Sequence, residues 1–190
     1  ARAVLVPTMG AFHEGHLELM RRARSLGDTV YVSLFVNPAQ FGPGEDFAAY
    51  PRDVARDLAM ASSVGVDAVF APSAAEVYRD RSVTVRVEGV AELWEGSRRP
   101  GHFDGVATVV TKLFNIFEPD VAVFGLKDLQ QCAVVRALVS GLDVPMSLEF
   151  VETVRDENGL ALSSRNARLT DAQRLDAAYL HQTLTVTAKA

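Results

Sequence analysis

Five short apolar runs constrain the fold of this chain more than any other feature. They are "AVLVP" (Ala3–Pro7), "TVYVSLFV" (Thr29–Val36), "DAVFAP" (Asp67–Pro72), "DVAVFG" (Asp120–Gly125) and "MSLEFVET" (Met146–Thr153). Nearly continuous apolar character marks strands covered on both faces, as in a parallel sheet. Helical patterns separate them. In "GHLELMRRARSLG" the residues Leu17, Met20, Ala23 and Leu26 share one stripe, and Gly27 is a natural stop. "RDVARDLAMASSVG", "GVATVVTKLFNIFEP" (closed by Pro119) and "DLQQCAVVRALVSGL" repeat the helical spacing. Strand–helix alternation of this kind implies an α/β fold with a parallel sheet and right-handed crossovers. "SVTVRVEG" (Ser82–Gly89) alternates apolar and polar and predicts a further, half-exposed strand. Beyond a turn at Asn158-Gly159, a polar loop leads to a last helix capped by Thr170 or Asp171. A domain boundary is expected near Val154–Asn158, dividing 1–153 from the start of a second unit over 154–190. No internal repeat or low-complexity tract is present.

Composition narrows the function classes. A net charge of −5 over 190 residues disfavours a general nucleic-acid backbone binder, though local cations can still serve one small anion. The lone cysteine, Cys132, excludes an intrachain disulfide, suits a reducing cytoplasm and falls in an apolar helical pattern as core. No apolar run approaches the ~20 residues of a membrane span. No signal-peptide pattern opens the chain, and the missing starting Met suggests residues upstream.

Ligands in open α/β sheets sit at the carboxyl ends of strands, and four polar clusters fall there. In "TMGAFHEGH", His16 lies in the first helical turn, where free N–H groups and the helix dipole favour anions. His13 and His16 could donate to phosphate oxygens, or simply cap the helix, and spacing alone leaves both open. Gly15 between them would let a ligand approach the backbone. H-E-x-H is not the H-E-x-x-H spacing of a helical zinc site. "NPAQF" follows the second run. In "GLKDLQQ", Lys127 can reach a polyphosphate or be a solvated lysine, and Asp128 can cap a helix or accept a ribose hydroxyl. One of Gln130 and Gln131 could bind a small polar ligand. "LSSRN" combines two hydroxyls, backbone amides and Arg165 in an adaptable phosphate grip. "SRRPGHFDG" adds Arg98, Arg99 and His102, as an anion contact or as a surface loop. There is no G-x-x-x-x-G-K-[ST], and "GPGEDF" misses the dinucleotide pattern.

Taken in order, "VPTMGAFHEGH", "FVNPAQF", "YPRD", "RPGHFDGVATVVTKLFN", "FGLKDLQQ" and "GLALSSRN" resemble the pantothenate synthetase (pantoate–β-alanine ligase) family over nearly the whole chain. "HEGH" resembles the H-x-G-H signature of the nucleotidyltransferase superfamily. The resemblance implies a Rossmann-like doubly wound parallel sheet of the nucleotidyltransferase type, followed by a smaller C-terminal α+β domain that acts as a lid and that this chain does not complete. It implies a two-step reaction: ATP adenylates pantoate, releasing pyrophosphate, and the β-alanine amine then displaces AMP. By this resemblance His13, His16, Lys127 and Arg165 carry catalysis. The ATP phosphates would be held by His13, His16 and Lys127, with Ser163, Ser164 and Arg165 closing from the other side. Gly125 and Asp128 would meet the ribose, and backbone near Val154 and Leu162 the adenine. Gln40 and Gln131 would bind pantoate, with Pro7 and Met9 shaping the pocket, Asn37 near the reacting end and Arg99 beside it. Magnesium would accompany ATP through its phosphates, with no named protein ligand. A cytoplasmic homodimer is implied, with no nucleic acid or membrane partner. Leu126 and Leu162 depart from the family's usual polar residue and Met, which bears on adenine affinity. A chain lacking the complete lid is expected to bind ATP and pantoate but to turn over more slowly or leak adenylate. Two other readings compete: a different H-x-G-H nucleotidyltransferase that retains its nucleotidyl product, and a non-catalytic nucleotide-binding or dimerisation fragment.

Overall fold

The computed structural model describes residues 1–188. Five parallel strands form one sheet: β1 (Ala3–Thr8), β2 (Thr29–Leu34), β3 (Ala68–Phe70), β4 (Val121–Gly125) and β5 (Ser147–Val151), in the spatial order β3-β2-β1-β4-β5. The helices are α1 (Glu14–Leu26), α2 (Val54–Ser63), α3 (Ala74–Val77), α4 (Trp94–Arg98), α5 (His102–Phe117), α6 (Leu129–Gly141) and α7 (Asp171–Thr187).

Side-chain alternation divides the strands between two cores. Val4, Val6, Val30, Val32, Val121 and Val123 pack with Leu17, Met20 and Ala23 of α1 and Ala61 of α2. Leu5, Ala122 and Phe124 pack on the opposite face against α5 and α6. The sheet is therefore doubly wound, and the continuous apolar runs follow from burial on both faces. The β1–β2 register, Ala3↔Thr29 through Thr8↔Leu34, is held by this division. A slip of one residue would turn each valine of β1 toward the layer built for Leu5. At the amino ends of the strands, carboxylates accept the first backbone donors: Asp120 from Ala3 at 2.6 Å, Asp28 from Arg2 at 2.8 Å and Asp67 from Val30 at 2.7 Å. The carboxyl ends are thereby left to the functional loops.

The order of strands reverses at β1, whose neighbours are β2 on one side and β4 on the other. The loops leaving β1 and β4 diverge there and open a crevice, the usual ligand position in such sheets.

One local expectation is corrected. Residues 82–89 form no strand. Val85 and Val87 do turn inward onto the α5 layer, but the Val85 N–H donates to Thr108 Oγ1 at 2.9 Å instead of to a neighbouring strand. The alternation records packing on a helix. Gly27 ends α1, as its position predicts, and does so in extended backbone (φ −157°). A side chain there would strike Val4 Cγ2 and the Arg2 carbonyl, so a close approach to β1 requires the glycine.

After β5 the chain leaves the sheet. Arg155 and Ala161 form an isolated antiparallel bridge around the Gly159 turn, a 3-10 turn covers Ser164–Arg168, and α7 follows. Thr170 caps α7 in a reciprocal box with Gln173. Only Ala178 of α7 is fully buried.

Candidate active site

A cavity of about 240 Å³ lies in the crevice. One wall is the amino end of α1. His13 is its N-cap, and its Nδ1 accepts from the Gly15 N–H at 3.2 Å. The His16 Nδ1 in turn accepts from the His13 N–H at 3.3 Å. Each neutral ring therefore carries its proton on Nε2. Capping and anion donation, which spacing left as alternatives, are compatible: Nδ1 serves the helix and Nε2–H remains a donor. A Cβ on Gly15 would stand only 2.9 Å from the His13 ring, so glycine is required for the imidazole to fold back over the helix end. The same position lies 3.9 Å from Leu162 Cβ, which brings the "LSSRN" loop against this helix end.

Electrostatics hold both rings neutral. Burial, then Lys127 and Arg56, lower the His13 pKa. Burial, then His13 and Lys127, bring His16 down to about 3. Lys127, after β4, reaches the cavity and is 3.0 Å from the Asp128 carboxylate. Neutral N–H donors beside a lysine suit a polyanion whose charge grows during reaction.

The opposite wall is latched to the loop after β2. Arg165 forks onto Asp46, with both bonds at 2.9 Å, and lies over the Tyr50 ring at 5.4 Å. Tyr50 Oη and Ser164 Oγ are 3.2 Å apart, and Arg168 adds a 2.9 Å contact to Asp46. Hydrogen bonds from Arg165, reinforced by Arg168, hold the Asp46 carboxyl down at about 2.

Two side-chain amides also line the cavity. Gln40 closes a 3-10 turn, Pro38–Gln40, and its Oε1 accepts from Asn37 Nδ2 at 3.0 Å. Its side-chain N–H groups remain to donate into the cavity. Gln131 lines the same cavity, whereas Gln130 is engaged with Val90 O, Leu93 O and the Glu95 N–H. Asn37 lies behind the wall, fully buried, bonded to Gly105 O and to the Tyr78 hydroxyl. Arg99 lines the cavity, but its guanidinium is held by Glu45 and Glu95 and donates to Gln40 O at 3.2 Å. Pro7, Met9, Gly125, Val154, Leu162 and Ser163 complete the lining relevant to the sequence-based expectations. Cys132 is core, its thiol pushed up to about 11 by burial.

A family model described as pantoate-beta-alanine ligase matches residues 1–190. The chain belongs to the pantoate-beta-alanine ligase family. The pantothenate synthetase of Moorella thermoacetica is 56% identical over 181 residues, 95% of this chain and 64% of that protein. A crystal structure of pantothenate synthetase from Thermus thermophilus superposes with a TM-score of 0.95 at 50% identity, covering 97% of this chain and 68% of that one. The pantoate-beta-alanine ligase of Francisella tularensis, whose crystal structure is described as complexed with β-γ ATP and β-alanine, gives 0.92 at 38% identity, covering 97% of this chain and 71% of that one. The chain thus spans just under two thirds of the length of curated ligase-family relatives such as the Moorella protein.

Several lining residues of this ligase-family chain escape sequence reasoning. Tyr50, Phe41 and Ser33 reach the cavity only through tertiary folding. Asp46 and Glu45 sit in a Gly/Pro-rich loop that reads as solvent-exposed, and nothing local shows that they engage Arg165 and Arg99. Among the described residues no group of three His, Cys, Asp or Glu is placed to hold a metal ion, and no helix is long and apolar enough to cross a membrane.

The lowered imidazoles carry a stability consequence. Between about pH 3 and 6.5 the unfolded chain takes up a proton at position 16 that the folded chain refuses, so stability rises with pH across that window. Asp46 contributes only below its ordinary 3.8 and leaves the range above pH 5 to the histidines. Urea unfolding at about pH 5 is expected to show roughly 2 kcal/mol less stability than at pH 7 on account of His16. A flat profile would show that the ring protonates freely in the folded state.

Proposed function

We propose that this chain carries the adenylating site of a pantoate–β-alanine ligase. A pantoate carboxylate oxygen attacks the α-phosphorus of ATP, the bond to pyrophosphate breaks, and pantoyl adenylate forms. The β-alanine amine then attacks the acyl carbon, loses a proton, and AMP departs with the bonding pair. The observation that carries this reading is a single cavity lined both by His13, His16 and Lys127, donors for a polyphosphate, and by the side-chain amides of Gln40 and Gln131. Neutral His13 and His16 donate through Nε2–H, Lys127 supplies a fixed cation, and Ser163, Ser164 and Arg165 close over the phosphates. Arg165 exchanges its Asp46 partner for phosphate oxygens of matching geometry. Gly125 and Asp128 face the ribose, and Val154 and Leu162 the adenine. Gln40 and Gln131 orient pantoate between Pro7 and Met9. Asn37 and Arg99 set Gln40 from behind and beside it. No covalent nucleophile is needed, since alignment and charge stabilisation suffice for acyl-adenylate chemistry.

A magnesium ion fits only as a companion of the nucleotide. Asp128 is paired with Lys127, and no cluster of protein ligands stands at the phosphate end among the described residues. Such an ion prefers phosphate oxygens and water, where it supplies charge neutralisation. Residues 1–153 form the nucleotide- and pantoate-binding unit in this reading, and 154–190 begin a second unit that covers it. The working form is a cytoplasmic homodimer with no nucleic acid or membrane partner.

The deciding assay incubates the protein with ATP and pantoate, then adds β-alanine. Pyrophosphate release that requires pantoate, followed by AMP and pantothenate only with β-alanine, is expected. Pyrophosphate release with a nucleotidyl product retained after β-alanine addition favours another nucleotidyltransferase. Nucleotide binding without any pyrophosphate favours a non-catalytic fragment.

A further inference from the structure

We infer that Asp57 of α2 is the positioning residue for the catalytic histidines, an assignment that rests on the adenylating reading above. Asp57 is fully buried, with no basic partner within ion-pair distance among the described residues. Its two oxygens accept from consecutive backbone amides, Ala11 N–H at 2.7 Å and Phe12 N–H at 2.8 Å. Those amides belong to the turn joining β1 to α1. That turn takes left-handed backbone at Gly10 (φ 81°) and Ala11 (φ 52°). A non-glycine residue there is strained, and strain persists only where the surroundings enforce it. The carboxylate fork is that enforcement, since charge-assisted bonds to two neighbouring amides fix the direction of the peptide between them.

Consequences reach the site through short covalent and packing links. Phe12, fully buried, precedes His13, and its ring centroid lies 5.3 Å from that of His16. The His13 and His16 rings are themselves 4.1 Å apart. Rotation of the Ala11–Phe12 peptide therefore swings the α1 cap and both Nε2 donors. Gly10 belongs to the same device, because a Cβ there would stand 3.0 Å from Asp57 Oδ2. On the opposite side of the site, the walls are held by ion pairs with partly exposed partners. Among the described residues Asp57 is the only fully buried carboxylate, and it holds this wall.

The test compares the protein with Asp57→Asn and Asp57→Ala. Asn keeps one acceptor and turns an N–H₂ toward the second amide, while Ala keeps neither. Pantoate-dependent pyrophosphate release is expected to drop in kcat by roughly tenfold for Asn and roughly 100-fold for Ala, with the KM for pantoate held, as displacement of catalytic groups by about an ångström predicts. In substrate-free protein, the His13 and His16 imidazole NMR signals are expected to move while core methyl signals stay. Unchanged kcat and imidazole signals in folded Asp57→Asn would overturn the assignment. Failure of Asp57→Asn to fold would do the same, making the residue structural only. If the unsubstituted protein releases no pyrophosphate, the functional reading fails separately, and the imidazole signals still decide the role of Asp57.

Discussion

His16→Asn is expected to lower pantoate-dependent pyrophosphate release by about 10²–10³-fold, the usual loss when one donor to developing oxyanion charge is removed. The fold should survive. Asn Oδ1 can stand where Nδ1 now accepts from the His13 N–H, so the reciprocal cap of α1 is kept. What disappears is the Nε2–H, the only part of the ring free to meet a phosphate. His16→Gln places an N–H₂ nearer the Nε2 position and loses the cap acceptor instead. It is expected to retain more activity than Asn but to unfold earlier. Adenylation rates and urea midpoints for the pair separate donation from capping. Equal activity of His16→Asn and the unsubstituted protein would remove the imidazole from the reaction. Because burial, His13 and Lys127 keep His16 neutral, adenylation should also be insensitive to pH across the ordinary imidazole range near 6.5.

Gly105→Ala should have a large effect on stability. Alanine in the first turn of α5 is favoured over glycine by about 1 kcal/mol on helix propensity alone. Here packing overrides that preference. A Cβ at Gly105 would fall on the Ala39 carbonyl and stand 2.9 Å from the Gln40 N–H. Asn37 Nδ2 also donates to the Gly105 carbonyl at 3.0 Å, so turn and helix cannot simply separate. Overpacking of this kind costs about 1–3 kcal/mol, and clash with backbone places it at the upper end. A net loss of about 2 kcal/mol or more in unfolding free energy is expected, read as a lowered urea midpoint. Gln40 would be displaced with the turn, so the KM for pantoate should rise while ATP affinity holds. A midpoint equal to or above that of the unsubstituted protein would show that α5 and the Pro38–Gln40 turn yield freely.

The strands and long helices were legible because burial on two faces leaves a mark on every position of a run. Val4 and Val6 face one layer and Leu5 the other, and continuous apolar sequence is the sole way to serve both. The segment 82–89 was misread for a related reason. Packing on a helix demands inward side chains at Val85 and Val87 just as a sheet would, and only the partner of the Val85 N–H tells the two apart. The cavity lining was legible where residues follow soon after a strand end, as with His13, His16 and Lys127. It was not legible where a side chain acts at long sequence separation. Gln130 and Gln131 are neighbours with the same chemistry, yet one ties down residues 90–95 and the other lines the cavity. Arg99 reads as a free cation and is instead engaged by Glu45, 54 positions away.

By itself, the sequence determined a parallel α/β sheet, the helix that begins at the imidazoles and the family that its motifs resemble, from which the doubly wound arrangement was implied. These depend on local periodicity and on motifs a few residues long. Tertiary structure alone decided which polar groups remain free to meet a ligand. Asp57 is invisible as a functional residue until α2 is laid against the turn after β1, where its two oxygens find the Ala11 and Phe12 amides. Hydrogen bonds and ion pairs saturate by pairing in space, so the availability of a donor or a charge belongs to the folded neighbourhood and not to the residue.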